Sequence, residues 1–551
     1  MRKNRNTDQS ISVVDIFAGP GGLSEGFSAF EAVNSRRPFK VRLSIEKDYF
    51  AHTTLLLRAF FRQFSNGEVP DDYYDFLRNT SEPLESRMKA LFDKHPVEAA
   101  QAAKEARQAT LGKEKKEVVR QWIDDSLDNS KNWILIGGPP CQAYSLAGRS
   151  RNKGINDYVP ENDKRQYLYV EYLQIIADHL PAVFVMENVK GLLSATLKDQ
   201  RIFEQICEDL PEPARALRRE GRSVRRLSET KRDLSSSYKL FSLVNYGEDT
   251  PNYSLFSTID NAHDNDLSRF VVRMEKHGIP QARHRVIILG IRDDLCRVEP
   301  RTLNQATTVM AKDVLSGLPR LRSGLSREED TCHAWVSHLR AMSDSCFFQA
   351  AGLKAGAAML RYMTSALEQI EQEELSRGDE FISCTPTVGH ESKWFLDERI
   401  GGVCNHSTRA HIVKDLYRYF YAACYAKIFS HSPNLRNFPE VLLPEHANVK
   451  AALEGNNFSD RFRVQLADQP STTITSHISK DGHYYIHFDP TQCRSFTVRE
   501  AARLQTFPDN YFFCGPRTSQ YIQVGNAVPP LLAHQIAEIV FNVLKENGVI
   551  K

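Results

Sequence analysis

The chain reads as a two-lobed α/β protein built on an open, largely parallel sheet. Three apolar runs point to this, because each stops abruptly at its carboxyl end. Trp133-Ile134-Leu135-Ile136 runs into Gly137-Gly138-Pro139-Pro140-Cys141. Ser12-Val13-Val14-Asp15-Ile16-Phe17 runs into Ala18-Gly19-Pro20-Gly21-Gly22-Leu23. Ala182-Val183-Phe184-Val185-Met186 runs into Glu187-Asn188. Short apolar runs bounded by turn signals are buried strands. The carboxyl ends of such strands are where open α/β sheets bind ligands.

Taken in order, residues 12–17 predict a strand, 18–23 a glycine turn and Ser24 to Phe30 a helix. Glycines let a backbone approach a ligand closely, and a helix N-terminus favours polar groups. The turn is not the dinucleotide fingerprint, whose third glycine would fall at Ser24. The second strand, Val41 to Ile45, ends at Glu46. An acid there hydrogen-bonds ribose hydroxyls in open α/β folds, or is simply a solvated carboxylate. Cys141 follows the third strand. A thiol so placed is a nucleophile once deprotonated, or else a buried structural cysteine. Glu187, directly after a buried strand, is a candidate functional acid or a helix N-cap. In Gly278-Ile279-Pro280-Gln281-Ala282-Arg283-His284-Arg285, two arginines alternate ahead of the strand Val286 to Gly290, which puts both guanidiniums on one face. Thr497-Val498-Arg499-Glu500 is a capping box opening a helix from Ala501 to Thr506. Gln523 to Pro530 precede a last amphipathic helix, Leu531 to Lys545.

Together these segments resemble, in the same order, the motifs of the cytosine-C5 DNA methyltransferases of compact bacterial and phage type. Pro140, Cys141, Gln142, Tyr144 and Ser145 match the nucleophile motif. Asp15, Phe17, Gly19, Gly21 and Gly22, with Pro20 between, match the loop that binds S-adenosylmethionine. Asp163-Lys164-Arg165-Gln166-Tyr167-Leu168 is similar to an Asp-x-Arg-x-x-Leu element, and Glu187-Asn188-Val189 to the Glu-Asn-Val motif. Arg494 to Glu500 and Gly525 to Val528 match the two C-terminal motifs.

The resemblance implies roles. Cys141 attacks C6 of a flipped-out cytosine, Glu187 contacts N3 and Arg285 holds O2. Arg283 has a supporting structural or phosphate role. Glu46 takes the ribose, Leu168 lies against the adenine, and Pro140, Asn526 and Val528 complete the cofactor site. Gln142, Ser145, Arg149, Arg151 and Arg165 face DNA. Base flipping is implied because C5 is unreachable within a stacked duplex. The resemblance also implies a Rossmann-like S-adenosylmethionine-dependent sheet over 1–319, completed by 491–551. A smaller target-recognition lobe spans 320–490, and DNA lies in the cleft. Residues 62–130, rich in Ala, Glu and Lys, read as an insertion of peripheral helices. They obscure the third cofactor motif, whose acid Asp124-Asp125 could supply.

The formal net charge of +2 does not announce nucleic-acid binding, so any DNA-facing charge is local. Arg149-Ser150-Arg151 follows the nucleophile and is expected on phosphates. The arginines between 215 and 226 read as a solvated face. Asn405 to His411 and Tyr417-Arg418-Tyr419-Phe420-Tyr421 suit a DNA-facing surface and a helical core stripe equally. The ten cysteines show no paired spacing for zinc, so no metal site is expected and a reducing cytoplasm fits. No run of eighteen apolar residues suggests a membrane span. The expectation is a monomer acting on double-stranded DNA in a bacterial cytoplasm, with a cognate restriction endonuclease acting separately. The rivals are a tRNA-methylating relative, a nicotinamide oxidoreductase and a non-catalytic DNA-binding relative.

Overall fold

The computed structural model describes residues 10–32, 37–65, 67–140, 168–197, 200–225, 234–245, 267–343, 345–372, 374–445, 449, 453 and 460–550. Its centre is an eight-stranded sheet. β1 (Ile11–Ile16), β2 (Phe39–Glu46), β3 (Ala106–Gln108), β4 (Trp133–Gly137) and β5 (Val183–Val189) run parallel. β6 (Tyr238–Phe241) and β7 (Val271–Arg273) each pair antiparallel with β9 (His284–Arg292), which itself pairs antiparallel with β5. A short β8 (Gln281–Ala282) lies outside this sheet. The order is β3-β2-β1-β4-β5-β9-β6, with β7 also on β9. It reverses between β1 and β4, which opens a crevice at their carboxyl ends.

Both faces of the sheet are covered, so the strands alternate between two apolar cores rather than between core and water. Val14, Ile16, Trp133 and Leu135 face one core, which α6 (Lys116–Leu127) and α7 (Leu168–His179) close. Val13, Ile134 and Ile136 face the other, with α1 (Gly22–Ala29) and the C-terminal α14 (Pro530–Glu546). The stretch Arg517–Glu546 is long and apolar enough to cross a membrane. Here it is two helices, α13 (Arg517–Asn526) and α14, broken at 527–529 and packed into the fold.

The expected insertion at 62–130 is only partly peripheral. After α2 (Tyr49–Phe61), the helices α3 (Asp71–Arg78), α4 (Leu84–Lys94) and α5 (Pro96–Glu105) fit it. Ala106–Gln108, however, is a strand of the central sheet, and Val119, Ile123 and Leu127 of α6 lie in the sheet's own core. A three-residue strand carries no periodic signal against an Ala- and Lys-rich background.

The interval 320–490 holds a third core, built on α8 (Cys332–Ser343), α9 (Cys346–Ala355), α10 (Ala357–Gln372) and α11 (Val413–Phe429). Tyr419, Phe420 and Tyr421 are buried in it, so the aromatic run is a helical core stripe and not a DNA face. The lobe is not cleanly separate. Val403, Ile474, Ile478 and Tyr485 pack with residues 496–527, and β8 pairs with β14 (Ser471–Thr472).

The C-terminal capping box forms as expected. Thr497 N–H donates to Glu500 Oε2 at 2.7 Å and Thr497 Oγ1 accepts from Glu500 N at 3.2 Å, opening α12 (Val498–Leu504). Three arginines around it are wholly buried. Arg494 forms two bonds to Glu500, Arg503 two to Asp509, and Arg499 donates to the carbonyls of Cys404, Pro508 and Tyr511. A buried guanidinium is tolerable only when so fully paired.

Candidate active site

Antiparallel β9 brings its first residues to the edge where the parallel strands end. Arg285 therefore stands opposite Val189, and Ile287 opposite Glu187. Arg285 Nε lies 3.0 Å from Glu187 Oε1, with 12% and 13% of the two side chains exposed. Burial lowers the Arg285 pKa and Glu187 pulls it back. Glu187 sits inside β5 and caps no helix; the N-cap position of the short 3₁₀ turn that follows is Val189, which makes no side-chain cap. The bland alternative for this acid is thereby removed.

The turn that leaves β4 passes directly over this carboxylate. A Cβ on Gly138 would lie 2.9 Å from Glu187 Oε2, so a side chain there would force the acid to move. Asn188, buried beside it, donates from Nδ2 to Pro139 O at 3.1 Å, and its Oδ1 accepts Val189 N–H at 2.8 Å. β5 thus grips the turn at Pro139, one residue before the half-buried Pro140. Cys141, Gln142, Ser145, Arg149, Arg151 and Arg165 follow and lie outside the described residues.

The glycine turn after β1 lies in left-handed backbone at Phe17 (φ 56°), Gly19 (φ 58°) and Gly21 (φ 98°). For a bulky residue such as Phe17 that conformation is strained, which is common where a backbone shapes a ligand site. A Cβ on Gly19 would meet nothing within 4 Å, so this side of the loop is open. Gly19 N–H donates to Glu46 Oε2 and Asp48 N–H to Glu46 Oε1, both at 2.8 Å. Glu46 so ties the end of β2 to the loop while keeping further lone-pair capacity. On the other side Gly22 meets the C-terminal segment: a Cβ there would lie 2.2 Å from Val528 O. Val528 is buried, and Asn526 is exposed at the end of α13. Tyr511 donates its hydroxyl to Pro20 O. Leu168 opens α7 and backs onto Gly112, just beyond β3.

Asp15 is fully buried at the end of β1, where its carboxyl lies by Ser24 but makes no well-formed hydrogen bond. Burial pushes its pKa up to about 7, and the nearby Ser24 and Arg62 offset only part of that. A buried carboxyl so weakly satisfied at a strand end has acceptor capacity left for a polar group.

Other expectations resolve differently. Arg283 is 1% exposed, and its guanidinium donates to Ile474 O (2.7 Å), Ala527 O (2.9 Å) and Gly525 O (3.2 Å). It joins the two C-terminal segments to β9, a structural task, while Arg285 pairs with Glu187. The two part company because residue 283 lies in the break between β8 and β9. Asp124, the candidate for the third cofactor acid, is engaged in ion pairs. It is on α6, where His179 and Arg225, against the cost of burial, hold its pKa down to about 2. Asp125 lines a cavity of about 850 Å³ with Ser10 and Lys40, at the opposite end of the strands. Arg215, Arg219, Arg222 and Arg225 each pair with an acid, as a solvated face would. Asn405 and His406 are buried structural residues: Asn405 pairs with the backbone of Phe513, and His406 bonds Thr497 and Pro319. Sequence inspection missed Tyr511 and the Asn188 link to Pro139. Asn188 carried a signal in its position beside Glu187, and Tyr511 carried none.

The family model described as C-5 cytosine-specific DNA methylase matches residues 95–213 and 266–542. The chain is 31% identical to Type II methyltransferase M.Bpa9945I of Bacillus paralicheniformis, over 97% of this chain and 99% of that one. It is 26% identical to Type II methyltransferase M.DdeI of Desulfomicrobium norvegicum, over 96% of this chain and 88% of the other. It is also 26% identical to DNA (cytosine-5-)-methyltransferase M.ApeKI of Aeropyrum pernix, over 75% of this chain and 81% of the relative.

Proposed function

The chain belongs to the C-5 cytosine-specific DNA methylase family, and from that premise we propose that it methylates C5 of a cytosine flipped out of a specific duplex DNA word. The observation that carries this is the Glu187–Arg285 pair beneath Gly138, at the root of the turn that leads to Cys141.

S-adenosylmethionine supplies an electrophilic methyl group on a sulfonium. The residues at the β1 edge fit it: Asp15 offers a weakly satisfied buried carboxyl, Gly19 an open loop face and Glu46 spare acceptor capacity. Phe17, Pro20, Gly21, Gly22, Pro140, Leu168, Asn526 and Val528 complete the set. Cys141 thiolate adds to C6, which pushes electron density toward N3 and makes C5 nucleophilic. Glu187 stabilises the proton at N3, and Arg285 steadies both Glu187 and O2. C5 would then be the nucleophile toward the methyl group that bound S-adenosylmethionine supplies, with S-adenosylhomocysteine as the leaving group; loss of the C5 proton to solvent and β-elimination free Cys141. Gln142, Ser145, Arg149, Arg151 and Arg165 contact the DNA, and Arg283 holds the scaffold.

The catalytic part spans 1–319 and 491–551, and the recognition lobe lies within 320–490. The protein acts as a monomer in the bacterial cytoplasm, beside a separate endonuclease that cuts the unmodified word. Methyl-labelled S-adenosylmethionine offered with duplex DNA or tRNA tests the core of this. Label should enter DNA and vanish with Cys141→Ser, since a serine without a general base is a weak nucleophile. Label in tRNA alone, or full turnover by the serine variant, overturns it.

A further inference from the structure

The helices α3 and α4 have no part in the chemistry just described, yet their polar side chains converge on one target. That target is β11 (Gly378–Ser383), β12 (Gly402–Ser407) and the segment joining them. Tyr74 donates its hydroxyl to Asp397 Oδ2 at 2.9 Å, and Arg78 Nε donates to Ile400 O at 3.0 Å. Arg87, with 3% of its side chain exposed, donates to Glu380 Oε1 at 2.9 Å and to Phe76 O at 3.0 Å. In return, Arg399 reaches Asp71 Oδ1 at 2.7 Å and lies 4.3 Å over the Tyr74 ring. Beneath these bonds Tyr74, Phe76 and Met88 share one apolar core with Ile400 and Cys404.

From the hairpin, itself part of the 320–490 interval, a second set of contacts runs onward to the lobe's helical core. Arg377, next to β11, pairs with Asp330 at 2.5 Å and donates to Thr408 O at 3.1 Å. β10 (Gly324–Leu325) pairs with β13 (Ala410–His411) in a short parallel ladder, and the chain then enters α11, the centre of the lobe's core. Rigid elements are thus joined end to end, from the helices after β2 to the lobe that would read DNA.

We propose that α3 and α4 are a clamp that sets the lobe's position over the Glu187 edge, with Tyr74 and Arg87 as positioning residues for DNA discrimination. This rests on the DNA-methyltransferase assignment. A clamp of this kind acts on where DNA is held, not on the reacting atoms. Weakening it should therefore appear in KM for DNA and in discrimination between words, and leave kcat and cofactor affinity alone. A purely structural contact would instead lower stability and leave discrimination unchanged.

The test uses the full chain and the word mapped by bisulfite sequencing for the parent enzyme. If the parent methylates no DNA, the functional assignment fails, separately from the clamp. Tyr74→Phe removes one hydroxyl, and Tyr74→Phe with Glu380→Met also removes the acceptor for Arg87. Each lost hydrogen bond should raise KM for DNA about fivefold and narrow the kcat/KM ratio between the mapped word and single-base variants by a similar factor. KM for S-adenosylmethionine and kcat at saturating DNA should stay within about twofold. Arg87→Lys, which keeps the charge, should retain more discrimination than Arg87→Met. An unchanged KM for DNA and word ratio in Tyr74→Phe and the double variant overturns the clamp, as does an equal fall in kcat.

Discussion

Glu187 and Arg285 meet because the strands that carry them run in opposite directions: Oε1 of one lies 3.0 Å from Nε of the other across the β5–β9 ladder. An all-parallel sheet would have put Arg285 at the far end of the molecule. The pair makes Glu187 a fixed acid, set before any substrate enters.

Glu187→Gln should slow methyl transfer by roughly 10²-fold or more while leaving DNA affinity nearly intact. N3 gains basicity only as Cys141 adds to C6, so a charge aimed there acts chiefly on the transition state. The amide keeps the shape but loses the charge that faces Arg285. Single-turnover rates at saturating DNA and cofactor measure this, and a rate within a few-fold of the parent would remove Glu187 from the chemistry.

Asp15 predicts an unusual pH dependence in the cofactor-free enzyme. Its pKa rises from 3.8 to about 7 on folding, chiefly through burial. Between those values the folded state keeps a proton that the unfolded state has lost, so this group's contribution falls as pH rises and is flat above about 7. Three units correspond to roughly 4 kcal/mol at full effect. Asp15→Asn should abolish that slope and weaken S-adenosylmethionine binding. Urea titrations at pH 5, 6, 7 and 8 compare the two, and parallel stability curves would sink the assignment.

Glu46→Ala should cost more cofactor affinity than Asn526→Ala. Asn526 is exposed and stands to lose one hydrogen bond, about 1 kcal/mol. Glu46 in addition holds Gly19 N–H and Asp48 N–H, so its loss loosens the loop itself. Calorimetric titration should rank them in that order, with equal losses counting against the loop-tying role.

Much of this site was legible in the sequence because strands that end abruptly announce themselves. Residues 133–137 and 183–189 form strands close to where their apolar runs predict, and Glu187 stands at the predicted edge. What stayed hidden depends on contacts between distant segments. No local pattern distinguishes Arg283, which serves three carbonyls, from Arg285, which serves an acid. The same blindness left Tyr417 to Tyr421 open between a DNA face and a core stripe, since a buried aromatic stripe and an exposed one share a period. β3 went unseen because three residues leave no period at all.

Acid should loosen the joint between lobe and sheet. His406 and His487 both have pKa values pulled down to about 4, mainly by burial, with Arg494 nearby adding to it and Glu500 opposing. His406 Nε2 lies 2.9 Å from Pro319 O and so carries the proton, which leaves Nδ1 to accept from Thr497 Oγ1 at 2.8 Å. Protonating Nδ1 would deprive the Thr497 O–H of its acceptor and ask Oγ1, which already accepts from Glu500 N–H, to accept again. The unfolded chain takes up these protons near pH 6.5 and the folded chain only near 4, so stability falls across that window as pH drops. The full effect is roughly 3 kcal/mol per histidine. His406→Gln should flatten the slope between pH 6.5 and 4 in thermal melts, and an unchanged slope would contradict it.

Exchanging residues 320–490 for the matching interval of a relative should change the methylated word and spare the chemistry. The seam is unusual in what it asks of the incoming sequence. Arg494 donates to Leu321 O, Arg503 to Thr387 O, Arg499 to Cys404 O and Arg283 to Ile474 O. All four acceptors are main-chain carbonyls, so any lobe with the same backbone course supplies them whatever its side chains. Side chains cross the seam as well: His406 meets Thr497, Asn405 pairs with the Phe513 backbone, and Asp397 and Glu380 take Tyr74 and Arg87. A chimaera that retains these four should fold and methylate at a rate within about tenfold of the parent. One with leucine at position 406 leaves the Thr497 O–H without its acceptor and Pro319 O without its donor, at about 1–3 kcal/mol for each buried group. Bisulfite sequencing reads the word and thermal melting reads the seam. Methylation that stays on the parent's word after the exchange would place recognition outside this lobe.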